Sequence, residues 1–225
     1  MRKGPILLAA LWGLLACRRE LPRPTYAAGT SLFPLETGRW WVYEVRETTY
    51  TTTGPEGVRY LVRMRIDTPT TDAYRRPSFY VVWDTCAIQD SGQFAFYRVG
   101  LAYRDSAQAE LWENNRRLLL LRFPLSPYLR WNRYQYTDLP PEMCRYLSTD
   151  TLYTLAGRTF PHSAFVLRQL DTISLLQRSY FYEVYAPNIG LVHRYERLDA
   201  YDLSSTGTLV RSTDSYHREL RLVAP

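Results

Sequence analysis

The chain has 225 residues, of which 46% are hydrophobic, 15% aromatic and 22% charged. This composition excludes a disordered, a collagen-like and a coiled-coil protein, and the length allows one domain of about 200 residues or two smaller ones. Removing Arg2 and Lys3, which belong to the N-terminal segment described next, lowers the formal net charge from +6 to +4. A basic chain can bind nucleic acid. The N-terminal segment has the pattern of an export signal, described next, and this argues against nucleic acid as a partner.

The first 16 residues have the pattern of an export signal. Arg2 and Lys3 precede an apolar run of 12 residues, Pro5 to Ala16. A membrane-spanning helix needs about 20 apolar residues, whereas the apolar region of a secretory signal has about 7–15. The run ends in Leu14-Leu15-Ala16-Cys17, which resembles the lipobox of bacterial lipoproteins. The resemblance implies cleavage before Cys17 and acylation of that cysteine; an ordinary signal peptide cut elsewhere is the alternative.

Residues 17–31 are predicted to be a tether, because Pro22 and Pro24 stand among small and polar residues. Several acyl chains on Cys17 would anchor the protein firmly to a membrane, since each buried methylene contributes about 0.8 kcal/mol. The residues directly after Cys17 contain no aspartate that would mark retention in the inner membrane. They also contain no acidic run that would mark export to the cell surface. We therefore expect the periplasmic face of the outer membrane rather than the cell surface, with residues 32–225 forming a single domain in water.

From Gly38 onward, apolar residues recur at every second position, which predicts β-strands with one buried face. Trp41–Val45 is predicted as a strand, Thr51–Gly57 as a turn, and Val58–Ile66 as a strand with Leu61 on its polar side. Further strands are predicted at Phe79–Cys86, Gln93–Val99, Leu118–Phe123, Arg133–Tyr136, Leu152–Leu155, Ala164–Leu170, Ser179–Tyr185, Leu191–Leu198 and Thr208–Leu222. This pattern predicts an all-β fold, a single antiparallel sheet curled into a barrel or half-barrel with little helix.

The stretch from Ala107 to Leu121 is ambiguous. Ser106 could cap a helix there, whereas Glu113-Asn114-Asn115-Arg116 is typical of a hairpin turn. We favour the hairpin.

One sequence pattern occurs twice. Phe33-Pro34-Leu35 is followed by Trp41, and Phe123-Pro124-Leu125 is followed at the same distance by Trp131, an offset of 90 residues. The repetition suggests that the domain consists of two related halves, although chance similarity in an aromatic-rich chain is the alternative.

Two motifs resemble those of a known group of proteins. The segment Phe33–Tyr43, with the pattern FPLxxGxWWVY, is similar to the opening motif of uncharacterised Bacteroidota envelope lipoproteins, and Tyr182–Val192, YEVYAPNIGLV, resembles their closing motif. The resemblance implies that the second motif forms two strands joined by a tight turn, and it brings no established activity. The order of strands is also faintly similar to the half-barrels of lipoprotein carriers, which is a likeness of architecture alone.

With Cys17 acylated, Cys86 and Cys144 remain. Two cysteines in an oxidising compartment can form one disulfide, and we favour that bridge over the alternative of two buried, unpaired thiols. Neither cysteine has the spacing of a zinc site or of a redox CxxC motif.

The sequence contains no recognisable catalytic motif. His162, His193 and His217 do not have the local spacing of metal ligands, and GxSxG and phosphate-binding glycine loops are absent. Glu183 lies in an apolar strand, and Arg194 on the neighbouring strand is its expected ion-pair partner. We therefore expect no enzyme activity, no cofactor and no metal.

Two classes of function remain. The first is a structural or interaction lipoprotein that presents tyrosine and arginine to an envelope partner, since both residues are enriched in interface hot spots. The alternative is a binder or carrier of a lipid-like ligand in an apolar groove, although the same side chains could form an ordinary core. The candidate groove residues are Trp40, Trp41, Tyr43, Trp83, Phe94, Phe96 and Trp131. A groove left open on one face of the sheet would favour the binder, and a filled interior the interaction protein.

Overall fold

The structure of the protein is a computed structural model that describes residues 29–90, 92–169 and 176–225. Cys17 and all but the last three residues of the predicted tether lie outside the described residues. The described strands are β1 (Trp40–Thr51), β2 (Gly54–Thr71), β3 (Pro77–Ala87), β4 (Ala95–Arg104), β5 (Gln108–Glu113), β6 (Arg116–Arg122), β7 (Arg130–Asn132), β8 (Met143–Leu155), β9 (Arg158–Gln169), β10 (Gln177–Ala186), β11 (Gly190–Leu203), β12 (Leu209–Arg211) and β13 (Tyr216–Ala224). Short 3-10 helices occupy Thr30–Leu32 and Ile88–Asp90. No helix in the described part of the chain is long and apolar enough to cross a membrane.

The strands form one antiparallel sheet that is nearly closed into a barrel. Its order is β6-β5-β4-β3-β2-β1-β13-β11-β10-β9-β8-β7, with β12 paired to β11 beside that path. The two edges, β6 and β7, meet at a seam where the Leu119 amide donates to the Arg133 carbonyl at 2.9 Å. The fold is therefore the all-β curled sheet that the alternation predicts.

Alternation also decides what faces the interior. Trp41, Tyr43 and Val45 are buried at every second position of β1, so one face of the strand lines the inside of the barrel. Val58, which the same period assigns to the buried face of β2, is instead 56% exposed beside the β1–β2 hairpin.

The ambiguous stretch is the predicted hairpin, because β5 and β6 pair through Glu113 and Arg116 around a two-residue turn. Asn114 and Asn115 have φ values of 49° and 58°, as a type I′ turn requires of both central residues.

Two predicted strands are wrong. Residues 133–136 form a turn, and the strand before it is Arg130–Asn132; the Asn132 side chain accepts the Tyr134 amide at 3.0 Å and so bends the chain. The long strand predicted over 208–222 is split into β12 and β13, because Ser215 Oγ hydrogen-bonds to the backbone of Ala200 and ends the pairing there.

The repeated pattern places its two tryptophans at equivalent points. Trp41 lies near the start of β1 and Trp131 within β7, and both are buried. Each strand begins one run of sequential hairpins, β1–β6 and β7–β13. The interior has the same division, with an apolar half along β1–β6 and a charged half along β7–β11.

The segment from Gly29 to Leu35 closes one end of the barrel. Arg104 Nη1 donates to the carbonyls of Thr30 and Phe33 at 2.9 and 2.8 Å, and the Asn188 amide donates to the Ser31 carbonyl at 2.8 Å. Arg39 Nη1 also donates to the Asn188 carbonyl at 2.5 Å, so the opening and closing motifs contact each other at this end, which we call the capped end. The opposite end carries the β1–β2, β3–β4 and β5–β6 connections, and we call it the rim.

Candidate functional site

A cavity of about 170 Å³ lies in the apolar half of the barrel. Residues of β4, β5, β6, β10, β11 and β13 contribute to its lining, and one side of its wall is formed by inward-facing residues of β1, β2 and β3. They include Trp41, Tyr43, Val62, Met64, Val81 and Trp83. These side chains alternate along their strands with outward-facing residues, so the apolar wall follows directly from the period of the sequence.

The two ends of the cavity differ in polarity. At the capped end, Pro34 and Ile189 complete an apolar lid, and the δ-carbon of Pro34 lies 3.4 Å from the position that a Cβ on Gly190 would take. At the rim, the lining includes Arg98 and Glu113, whose side chains are bonded at 3.0 Å. The capped end of the cavity is therefore apolar, whereas its rim carries charge.

The predicted groove residues are only partly brought together. Trp41, Tyr43 and Trp83 line the cavity. Trp40 and Phe96 are 44% and 68% exposed. Strand registers place Trp40 opposite Arg65 and Phe96 opposite Asp84, on the outer face of the barrel.

The last two groove residues lie elsewhere. The ring of Phe94 packs 4.5 Å from the guanidinium of Arg63 on the outer face. Trp131 is buried in the other half of the barrel, where its ring lies 4.9 Å from that of Tyr146 and its Nε1 donates to the Leu119 carbonyl at 3.2 Å. Trp131 therefore joins β7 to β6 across the seam.

The charged half of the interior is centred on Glu183, whose side chain is fully buried. The predicted partner is confirmed, because Arg194 Nε donates to Glu183 Oε1 at 2.8 Å. Arg133 Nη2 and Arg168 Nη1 lie 3.2 and 3.5 Å from the same oxygen, and the Tyr185 hydroxyl donates to Oε2 at 2.5 Å.

Two further carboxylates balance these three arginines. Glu142 Oε1 accepts from Arg168 Nε at 2.9 Å, and Glu196 is bonded to Arg168 Nη1. Burial alone would raise the pKa of Glu183, but the guanidinium groups of Arg133 and Arg194 outweigh it and hold that pKa well below its ordinary value. The cluster therefore remains ionised while filling this half of the interior.

A second polar cluster lies on the outer face. His193 is buried, its Nε2 lies 2.9 Å from Glu219 Oε1, and its Nδ1 is bonded to the Tyr153 hydroxyl. A neutral imidazole protonated on Nε2 satisfies both contacts. Burial lowers the pKa of His193 more than the Glu219 carboxylate raises it, and Arg221 also lowers it.

We expect stability to fall in mild acid because of this histidine. The pKa of His193 is lowered in the folded state and is about 6.5 in the unfolded state, so the unfolded chain binds more protons below that pH. The contribution of His193 to the free energy of unfolding should be constant above pH 6.5. Below that pH the free energy of unfolding should decrease by at most about 1.4 kcal/mol per pH unit. Urea unfolding of the wild type and of His193→Gln between pH 5.5 and 7.5 measures this slope.

His162→Gln is the matched control for that experiment, because the His162 side chain is 75% exposed and pairs with Asp150, whose side chain is 72% exposed. The His193→Gln slope should be flatter than that of the wild type, and the His162→Gln slope unchanged. Equal slopes in all three proteins would contradict the assignment.

The predicted disulfide is not formed in this structure, where Cys86 and Cys144 are free, buried cysteines. They lie on β3 and β8, which do not neighbour each other in the sheet. Burial raises the pKa of the Cys144 thiol to about 12, which makes it unreactive near neutral pH. Among the described residues, no group of three or more His, Cys, Asp and Glu side chains could hold a metal ion.

Sequence reasoning identified Arg194 but missed the other two arginines of the interior cluster, Arg133 and Arg168, and Arg98 at the cavity rim. A signal was present at Arg133, which stands two positions after Trp131 and therefore shares its face. No comparable signal marks Arg98 as a cavity residue, because that role depends on how far the sheet curls.

No protein-family model matches the chain, and no curated protein is significantly similar to it. Among solved structures, the chain is similar to a protein of Parabacteroides distasonis ATCC 8503 described as a candidate lipoprotein, with 12% identity over 85% of this chain and 97% of the other and a TM-score of 0.40. It is also similar to a candidate exported protein with a YmcC-like fold from Bacteroides fragilis NCTC 9343, with 12% identity over 84% and 97% of the two chains and a TM-score of 0.43.

Proposed function

We propose that this protein is a non-catalytic cell-envelope lipoprotein that binds one small apolar or amphiphilic molecule inside its barrel. The observation that carries the proposal is the cavity between the capped end and the rim, which leaves the apolar half of the interior open. A fully packed interior would have favoured a purely structural role. The lipid anchor on Cys17 and the periplasmic face of the outer membrane belong to the same proposal and rest on the export-signal pattern.

The size of the cavity limits the ligand. Its volume of about 170 Å³ is below the roughly 300–1,000 Å³ of sites for drug-sized molecules. It is close to the engineered apolar cavity of about 150 Å³ that accepts benzene. The interior therefore suits one ring or one short alkyl chain, and a whole diacyl lipid would not fit.

Native mass spectrometry of the full chain tests the proposal. The Cys17→Ser variant, which removes the predicted acylation site, would be purified from the periplasm without detergent. A reproducible extra mass that extracts into organic solvent supports the binder. A bare protein mass, together with no binding of added 1-hexanol, would contradict it.

Filling the cavity should abolish binding. Ala102 is fully buried and lines the cavity, so Ala102→Leu adds three carbons to the space that the ligand needs. We expect the affinity for 1-hexanol, measured by ligand-observed NMR titration, to fall at least about 10-fold, the effect of some 1.4 kcal/mol. Unchanged affinity in a folded Ala102→Leu protein would show that ligand does not occupy this cavity.

Ala95→Leu is the matched control, because Ala95 lies on the same strand but is exposed and outside the cavity lining. Its affinity should equal that of the wild type. Circular dichroism of both variants checks that the barrel is folded. Val81→Ile adds a single methylene to the same wall, so it should weaken 1-hexanol binding less than Ala102→Leu does.

A second candidate, the interaction lipoprotein, is supported by a row of three apolar residues and one arginine on the outer face. Strand pairing places Trp40, Arg65, Val82 and Val99 side by side across β1–β4. Trp40 and Val99 are about half exposed, at 44% and 51%, and exposed apolar patches often mark interaction sites. A bare mass in the native spectrum would favour this role over ligand binding.

A further inference from the structure

The charged residues that line the cavity are more basic than acidic. Three are arginines, Arg98, Arg194 and Arg218, and one is a carboxylate, Glu113. Arg194 and Arg218 are held from behind by Glu183 at 2.8 Å and Glu47 at 2.6 Å. Arg98 differs from both, because its carboxylate partner itself lines the cavity.

Arg98 is positioned where the apolar wall ends. Its guanidinium lies 4.9 Å from the centre of the Trp83 ring and 5.2 Å from that of Tyr97, so the group is held between aromatic faces. Its Nη2 donates to Glu113, whereas its Nε is buried and has no hydrogen-bond partner among the described residues. A buried N–H without an acceptor is unfavourable, and an oxygen brought by a ligand would supply one.

The exposed residues of the lining lie at this same end. Tyr97 is 57% exposed and Asn114 is exposed in the β5–β6 turn, whereas the capped end is covered by Pro34, which is buried. A ligand that enters with its apolar chain first therefore leaves its polar head beside Arg98.

From this geometry we infer that the ligand is a short single-chain carboxylate, whose alkyl chain fills the apolar cavity and whose carboxylate accepts hydrogen bonds from Arg98. The inference rests on the proposed function and specifies the ligand class of the same site. Arginine donates to a carboxylate through several N–H groups at once, so the free Nε and the Nη2 now shared with Glu113 can both serve the ligand. The small cavity restricts the buried chain to about six carbons, by comparison with the benzene-binding cavity above.

Three ligands of equal chain length test the inference: hexanoate, 1-hexanol and hexylammonium. Each would be titrated by ligand-observed NMR at pH 7 into the full-chain Cys17→Ser protein. We expect hexanoate to bind roughly 10–100-fold more tightly than 1-hexanol, the range for a hydrogen bond to a charged group, and hexylammonium to bind most weakly. Hexylammonium binding as tightly as hexanoate would overturn the inference.

Variants of the rim separate the head group from the cavity. Arg98→Met keeps an apolar stem against Trp83 and should weaken hexanoate about 10-fold while changing 1-hexanol less than about 3-fold. Arg46→Met changes the net charge equally from the outer face of β1, where Arg46 is bonded to Glu44, and should change neither affinity. Glu113→Gln removes the competing carboxylate and should strengthen hexanoate binding, an effect that a folding defect would not mimic.

The outcomes distinguish two failures. If none of the three ligands binds, the proposed function fails. If 1-hexanol and hexanoate bind equally and Arg98→Met weakens neither, the cavity is a ligand site but the carboxylate inference is wrong.

Discussion

Glu183→Gln is expected to lower the free energy of unfolding by about 3–5 kcal/mol, the usual effect of breaking a buried ion pair from one side. Glutamine keeps the size of glutamate but removes the charge that three guanidinium groups share. Arg133, Arg168 and Arg194 would then lie close together in the interior with only Glu142 and Glu196 to balance them. Because small domains have a total stability of about 5–15 kcal/mol, the loss should be evident in urea unfolding followed by circular dichroism.

Glu36→Gln is the matched control for this prediction. Glu36 pairs with Arg39 at 3.2 Å, but its side chain is 67% exposed, and exposed pairs contribute about 0–1 kcal/mol. If Glu183→Gln does not fold, Glu196→Gln, which removes a more peripheral carboxylate of the same cluster, should give a smaller, measurable loss. A Glu183→Gln protein as stable as Glu36→Gln would show that the cluster is not needed for stability.

Trp131→Ala should destabilise the protein about as much as Glu183→Gln, because truncating a buried tryptophan lowers the free energy of unfolding by about 3–5 kcal/mol. The substitution removes both the ring that packs on Tyr146 and the Nε1 hydrogen bond to the Leu119 carbonyl. Since that bond lies at the seam between β6 and β7, we also expect faster hydrogen exchange at the Leu119 amide, which donates to Arg133.

Two further tryptophan variants make the test specific. Trp131→Phe keeps an aromatic ring but loses the hydrogen bond. It should lower the free energy of unfolding less than Trp131→Ala does, while hydrogen exchange at the Leu119 amide should still be faster than in the wild type. Trp40→Ala removes a 44% exposed side chain and should change stability by less than about 1 kcal/mol. Binding of 1-hexanol should survive Trp131→Phe, because Trp131 does not line the cavity.

Local pattern was sufficient for much of the fold. The period of two along β1 and β2 predicts the strands and the burial of Trp41 and Tyr43, and the Asn114-Asn115 pair predicts the β5–β6 turn. Glu183 and Arg194 could be paired in advance because they occupy opposite strands of one hairpin. In each case the deciding interactions are close in sequence.

The rest depends on how the sheet closes. Trp40 and Trp41 are equally aromatic neighbours, yet only one can face inward, and strict use of the alternation would have excluded Trp40 from the groove. Trp131 shares the buried face of its strand but lies in the charged half, a distinction that only the order of strands around the barrel decides. Arg133 and Arg168 reach Glu183 from the turn after β7 and from β9, whereas Glu183 lies on β10, so no single window of sequence contains the cluster.

The pairing of β1 with β13 has a consequence for how the chain acquires its fold. Val42 to Thr49 pair with residues 216–224 at the far end of the chain, so these contacts span nearly the whole domain. Sequential hairpins can form as local units, but contacts of such high sequence separation form late because closing a long loop costs conformational entropy. Until the last strand is in place, β1 and β11 both present unpaired edges that can pair with other chains. The nine residues of β13 therefore complete the barrel. By pairing with both β1 and β11 they also cover the two edges at which the chain could aggregate.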